Sequence, residues 1–151
     1  MDALLLARTA VCLFFTILFL QSGLDKVVDW KGNIEWLTGH FSKAFFSKAT
    51  PVLLGIMTGM ELLTCLASAF AIVVLWTQGP PEAPMLALSL ACASLLMLFA
   101  GQRFAKDYAG AATLASYFVV ALLGLALMHD WSQANAPAAT TAKPTASSST
   151  S

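Results

Sequence analysis

A chain of 151 residues that is 58% hydrophobic and 11% charged, with a formal net charge of zero, does not have the surface of a water-soluble domain, which carries about 25% charged residues. Zero net charge gives no reason to expect nucleic acid as a partner. Three cysteines, Cys12, Cys65 and Cys92, each inside an apolar run, form no CxxC pair and no metal-ligand cluster, so neither a disulfide framework nor a metal site is expected.

The first apolar run is Ala3 to Gly23, interrupted by Arg8. A secretory signal has its basic residues before the apolar core and a small-residue cleavage site after it. Here the arginine lies within the run and the exit is Gln21-Ser22-Gly23-Leu24-Asp25-Lys26, which predicts a retained transmembrane helix. In the polar connection from Asp25 to Thr50, Trp30, Ile34, Leu37, Phe41 and Phe45 recur at helical spacing, interleaved with Lys31, Glu35, His40 and Lys43. That pattern predicts an amphipathic helix at headgroup level, where Trp is favoured. Gly32 and Gly39 oppose it.

The second run, Pro51 to Trp76, has Pro at the first turn of its helix and a single carboxylate, Glu61, near its middle. Gly79-Pro80-Pro81-Glu82-Ala83-Pro84 turns the chain. Met85 to Ala100, extended by Gly101-Gln102-Arg103-Phe104, is the third run; Gly110 permits a turn, and a fourth run ends near Met128 at His129-Asp130-Trp131. The expected fold is an all-α membrane protein: an antiparallel four-transmembrane-helix bundle over residues 1–131, with an interfacial amphipathic helix between helices one and two. Residues 132–151 are mostly Ala, Pro, Thr and Ser, with Gln133, Asn135 and one Lys143, a composition that predicts a disordered tail.

Lys26, Lys31, Lys43 and Lys48 lie in the first connection and Arg103 and Lys106 in the third, while the Gly79–Pro84 turn has no basic residue. The positive-inside rule puts both basic loops in the cytoplasm and both termini outside, in the periplasm of a bacterium.

The buried polar residues are the candidates for function. A carboxylate at the depth of Glu61 costs a few kcal/mol without a partner or a wet cavity. Counting from the helix ends places Arg8 roughly 8 Å inside the outer boundary and Glu61 about 15 Å from the inner one. In an apolar core of about 30 Å the two then differ by about 7 Å in height, within reach of two long side chains. A charge-assisted Arg8–Glu61 pair is expected, either fixing helix register or lining a small-molecule pocket with Cys12, Thr58 and Cys65. Thr58, Glu61, Cys65 and Ser68 share one face of helix two; Arg8, Cys12, Phe15, Phe19 and Lys26 share one face of helix one. Gly55-x-x-x-Gly59 suits close helix approach. Burial as small apolar filler explains the cysteines more economically than a thiol relay. At the cytoplasmic end Gln21, Asp25, Lys26, Gln102, Arg103, Lys106 and Asp107 form a second polar group, solvated, bound to lipid headgroups, or gripping an anion or quinone-like head.

Arg8 early in helix one, the Ser22-Gly23-Leu24-Asp25-Lys26 exit, and Gly59-Met60-Glu61-Leu62-Leu63 in helix two resemble the DoxX family of small four-helix membrane proteins, over about residues 4 to 129. Asp29-Trp30-Lys31-Gly32-Asn33 through His40-Phe41-Ser42-Lys43, and Gly101 through Gly110, resemble a branch found in Bacteroidota. The resemblance implies an inner-membrane protein associated with oxidoreductases and thiol redox systems, not an enzyme on its own. It gives Arg8, Lys26 and Glu61 as family-typical polar residues. The partners it implies are the lipid bilayer and other membrane subunits, with a bound quinone or lipid in place of any cofactor held by the chain. A non-enzymatic accessory subunit of a larger complex, and a small transporter or proton path using Glu61, are the alternative functions.

Overall fold

In a computed structural model of the chain, which describes residues 2–40 and 50–135, five α-helices follow one another: α1 (Ala3–Val28), α2 (Trp30–His40), α3 (Thr50–Thr77), α4 (Ala83–Phe104) and α5 (Tyr108–Asn135). Four are long and apolar enough to cross a membrane. At about 1.5 Å per residue even the shortest, the 22-residue α4, reaches about 33 Å, against an apolar core of about 30 Å. α2, with 11 residues, is too short to do so. Among the described residues Trp30 and Ile34 of the expected stripe fall within α2, whereas Phe41, Phe45, Lys43 and Lys48 lie outside them. Asp29 separates α1 from α2 and serves both: its backbone N–H donates to Asp25 O, and its Oδ1 accepts from the Gly32 N–H at 3.2 Å. That N-terminal cap lets α2 form despite Gly32.

The spans form an antiparallel ring in chain order. α1 meets α3 through Thr9 and Trp76 at one end and through Ser22 and Glu61 toward the other. α3 meets α4 through Thr64 and Ser94, and α5 returns to α1 through Leu127 and Arg8. α1 packs most extensively on α3, while α1 and α5 share a thinner seam. The exterior differs from that of a soluble protein, and polar groups share the apolar interior. Thr58, Glu61, Thr64, Ser68 and Ser94 are buried, while Leu13, Ile17, Leu66, Phe70, Leu96 and Leu123 face outward. Lipid, as apolar as the outward side chains, is the solvent this surface fits.

Two helix ends close with a residue other than Gly in the left-handed region. Gln78 (φ 54°) ends α3, with Gly79 N–H returning to Val74 O; Lys106 (φ 60°) ends α4, with Asp107 N–H returning to Gln102 O. Both are Schellman closures. The turn expected at Gly110 is therefore made by Lys106, and Gly110 lies inside α5, its N–H held by Asp107 Oδ1 at 2.9 Å. α5 also continues through Ser132–Asn135, past the boundary expected at Trp131, with Asn135 Nδ2 donating to Trp131 O at 2.8 Å; the rest of the expected tail, 136–151, lies outside the described residues.

The glycines that allow close approach are not those of the Gly55–Gly59 motif. A Cβ on Gly59 would meet nothing within 4 Å, and one on Gly55 only Trp30 at 3.7 Å. A Cβ on Gly124 would stand 2.7 Å from Val11 and 2.8 Å from Leu88, where α5 crosses both α1 and α4. Gly124→Leu is accordingly expected to destabilise the bundle by about 1–3 kcal/mol through overpacking. Gly59→Ala should leave it unchanged or slightly more stable, both read as thermal unfolding of the detergent-solubilised protein.

Candidate functional site

Glu61 is 1% exposed, yet its ion partner is not Arg8. Lys26 Nζ, on a side chain 18% exposed, stands 2.9 Å from Glu61 Oε1. Ser22 Oγ donates to the same oxygen at 2.9 Å. The ammonium also donates to Ser22 O at 3.2 Å and to Ser22 Oγ at 2.9 Å, so all three of its hydrogens are engaged. Ser22 and Lys26 are one turn apart on α1 and reach one point together. Next to them Gly23 admits Leu62: a Cβ there would stand 2.7 Å from its Cδ2. The close approach, the serine and the lysine fix α1 on α3 around a single carboxylate. Glu61 Oε2, by contrast, has no hydrogen-bond partner among the described residues.

Arg8 sits at the opposite end of the bundle. Its Nε donates to Leu127 O of α5 at 3.0 Å, and its side chain lines a cleft of about 280 Å³ with Asp2, Leu5, Gln78, Trp131, Ala134 and Asn135. Arg8 lies 14 residues before Ser22 on the same helix, roughly 21 Å along its axis. The expected Arg8–Glu61 pair is therefore absent. Counting from the ends failed because the helices do not start level. Lys26 is only two residues from the end of α1, whereas Glu61 is eleven residues into α3. The first turns of α3 overhang α1 and meet α2, where Trp30 approaches Gly55.

The remaining expected residues divide. Thr58 Oγ1 is satisfied within its helix by Leu54 O at 2.8 Å. Cys65 Sγ contacts Thr16 O at 3.5 Å, and Cys12 is fully buried in the apolar core. Arg8, Glu61, Cys12, Thr58 and Cys65 thus do not line one pocket. All three cysteines are free thiols. The second polar group does not converge either. Gln21 and Asp25 are exposed, and Lys26 turns inward to Glu61. Arg103 lies over the Tyr108 ring at 4.8 Å, a cation–π contact. Lys106 and Asp107 shape the α4–α5 turn, and no hydrogen bond or ion pair joins Gln102, Arg103, Lys106 or Asp107 to α1 among the described residues. The residue not singled out beforehand as a site is Ser22; its i, i+4 spacing from Lys26 was the available signal. Among the described residues no three His, Cys, Asp or Glu side chains gather as a metal site.

Fold and site together define an integral, multi-pass helical membrane protein with a buried Lys–Ser–Glu clamp and a separate arginine-lined cleft. No family model, no curated protein and no solved structure matches the chain.

Removing Lys26 leaves a buried carboxylate without its counter-charge. Lys26→Met is expected to cost about 3–5 kcal/mol, and combining it with Glu61→Leu should recover most of that. In double-mutant cycles on chemical unfolding, Lys26 and Glu61 should couple by more than about 1 kcal/mol, whereas Arg8 and Glu61 should be additive within about 0.5 kcal/mol.

Proposed function

We propose that this protein is a DoxX-like, redox-associated subunit of a bacterial inner membrane, and that it receives a small molecule with a quinone-like head in the cleft at Arg8. The observation that carries this reading is the state of Arg8 itself. The residue is 8% exposed, its one hydrogen bond among the described residues is Nε to Leu127 O, and it lines the cleft. A guanidinium has five N–H donors, so four remain for an acceptor placed there. Gln78 and Asn135 add side-chain amides, and Trp131 and Leu5 add apolar walls. The carbonyl oxygens of a quinone ring accept such hydrogen bonds without bringing a charge against the nearby Asp2. A volume of about 280 Å³ falls just below the usual range of about 300–1,000 Å³, room for a ring alone while an apolar tail lies along the lipid-facing helices.

Lys26, Lys31, Arg103 and Lys106 favour placing the other end of the bundle in the cytoplasm, so that the cleft opens toward the periplasm. In this reading the chain works beside a membrane oxidoreductase rather than as an enzyme alone.

Titrating the detergent-solubilised protein with decyl-ubiquinone, followed by tryptophan quenching, tests the cleft. The wild type should bind saturably and lose the signal in Trp131→Phe, and Arg8→Gln should weaken binding about tenfold, the equivalent of about 1.4 kcal/mol. An unchanged affinity in Arg8→Gln removes the cleft from the reading. Extraction in mild detergent tests the partner: a chain always isolated alone removes the subunit role.

A further inference from the structure

Two buried side-chain polar atoms among the described residues find no hydrogen-bond partner, Glu61 Oε2 and Ser68 Oγ. Both belong to α3 and lie two turns apart on one face. Leaving such an atom unpaired costs about 1–3 kcal/mol, so the bare edge of the Glu61 carboxyl needs an occupant. Both protein hydrogen bonds to Glu61, from Ser22 and Lys26, fall on Oε1. The edge carrying Oε2 is therefore left bare while Oε1 holds both contacts.

We propose that Glu61 is a reversible proton-binding site, loaded through Lys26 from the face of the bundle that carries the C-terminus of α1 and closed toward the opposite face. Lys26 is the group that connects the carboxyl to that face, being within 2.9 Å of Oε1 and still partly exposed. It is also the one charged group that faces the carboxyl: among the described residues no ionisable side chain of α2, α4 or α5 is hydrogen-bonded or ion-paired to Glu61.

In the loading step an ammonium proton of Lys26 passes to Glu61 Oε1, the O–H bond forming as the N–H bond breaks. The freed amine recovers a proton from hydronium at the α1 C-terminal face. A half-turn of the carboxyl then carries the O–H to the unpaired edge and returns a bare oxygen to Ser22 and the restored ammonium. The net change is carboxylate and hydronium to carboxylic acid and water, with no electron transferred.

Closure on the other side follows from packing. From Ser68 to the level of Arg8, roughly 12 Å, the interior is filled by Cys12, Phe15, Ala71, Leu75 and Leu88, all fully buried. The packed layer thus leaves the Lys26 side as the open approach to the carboxyl, which separates the site from a through-path. The inference is independent of the ligand proposed at Arg8.

The test is time-resolved infrared spectroscopy of the full chain reconstituted in oriented vesicles, with a pH jump applied to one side at a time. A protonated-carboxyl band should rise on acidifying the α1 C-terminal side and be missing in Glu61→Gln. Lys26→Arg keeps a positive charge at this position but cannot release a proton, and should slow the rise by about a hundredfold. A band that rises equally from either side, that survives Glu61→Gln, or that is as fast in Lys26→Arg overturns the proposal.

Discussion

The arrangement depends on one buried carboxylate and on what holds it. Taking a charge out of water into a bundle surrounded by lipid costs several kcal/mol per ion, and only an opposite charge with additional hydrogen bonds makes the burial tolerable. Glu61 receives both from a single turn of α1, the ammonium of Lys26 and the hydroxyl of Ser22. That requirement sets the register of α1 on α3 more tightly than apolar packing does, since leucine and phenylalanine can slide a turn and still be buried. The Gly23–Leu62 approach beside it follows from the same register, and together they account for why α1 and α3 share the most extensive interface in the ring.

The rest of the interior is arranged to ask little of its polar groups. Thr9, Thr16, Thr58 and Thr64 each return a hydroxyl hydrogen to the carbonyl four residues earlier, a bond available wherever the helix goes. Thr64 adds a contact to Ser94 at 2.8 Å that ties α3 to α4. Such contacts between membrane helices are worth about 0.6 kcal/mol on average, too little to choose among registers. Orientation of the helices therefore falls to the clamp at one end and to close packing at Gly124 and the Arg8–Leu127 bond toward the other.

How much of this was legible beforehand depended on the range of the interaction. The four spans and the short helix between the first two follow from runs of apolar residues and a local stripe, and they are present. The Gly79–Pro84 break was visible because proline acts on its own neighbours. The Schellman closure at Lys106 was not, because a left-handed lysine has no compositional mark and the nearby Gly110 drew the turn to itself. The partner of Glu61 was misread for a longer-range reason. Arg8 and Glu61 were recognisable as out of place in their apolar runs and Lys26 as a cation at the exit of the first, but which two meet depends on how far α3 overhangs α1. That offset is fixed by the Asp29 junction and by α2, outside the apolar runs. The cleft at Arg8 draws Asp2, Gln78 and Trp131 from three helix ends, and no spacing within one run could have announced it.

The two cations are also not interchangeable, and their chemistry matches the places they occupy. Lys26 must satisfy three hydrogens at one spot, with a serine carbonyl, a serine hydroxyl and a carboxylate oxygen converging on a compact ammonium; a planar guanidinium spreads its donors too widely for that geometry. Arg8 has the opposite task. It must hold one carbonyl of α5 through Nε while keeping the far edge of the group toward a cleft, which a rigid fork does and a flexible amine does not. An ammonium at position 8 would turn its charge toward Asp2 or water and leave the cleft without an aligned pair of donors. A guanidinium at position 26 would keep the charge beside Glu61 but never give up a proton. The bundle therefore separates a guanidinium at one end from an ammonium–carboxylate pair at the other, with the apolar layer of Phe15, Ala71, Leu75 and Leu88 between them.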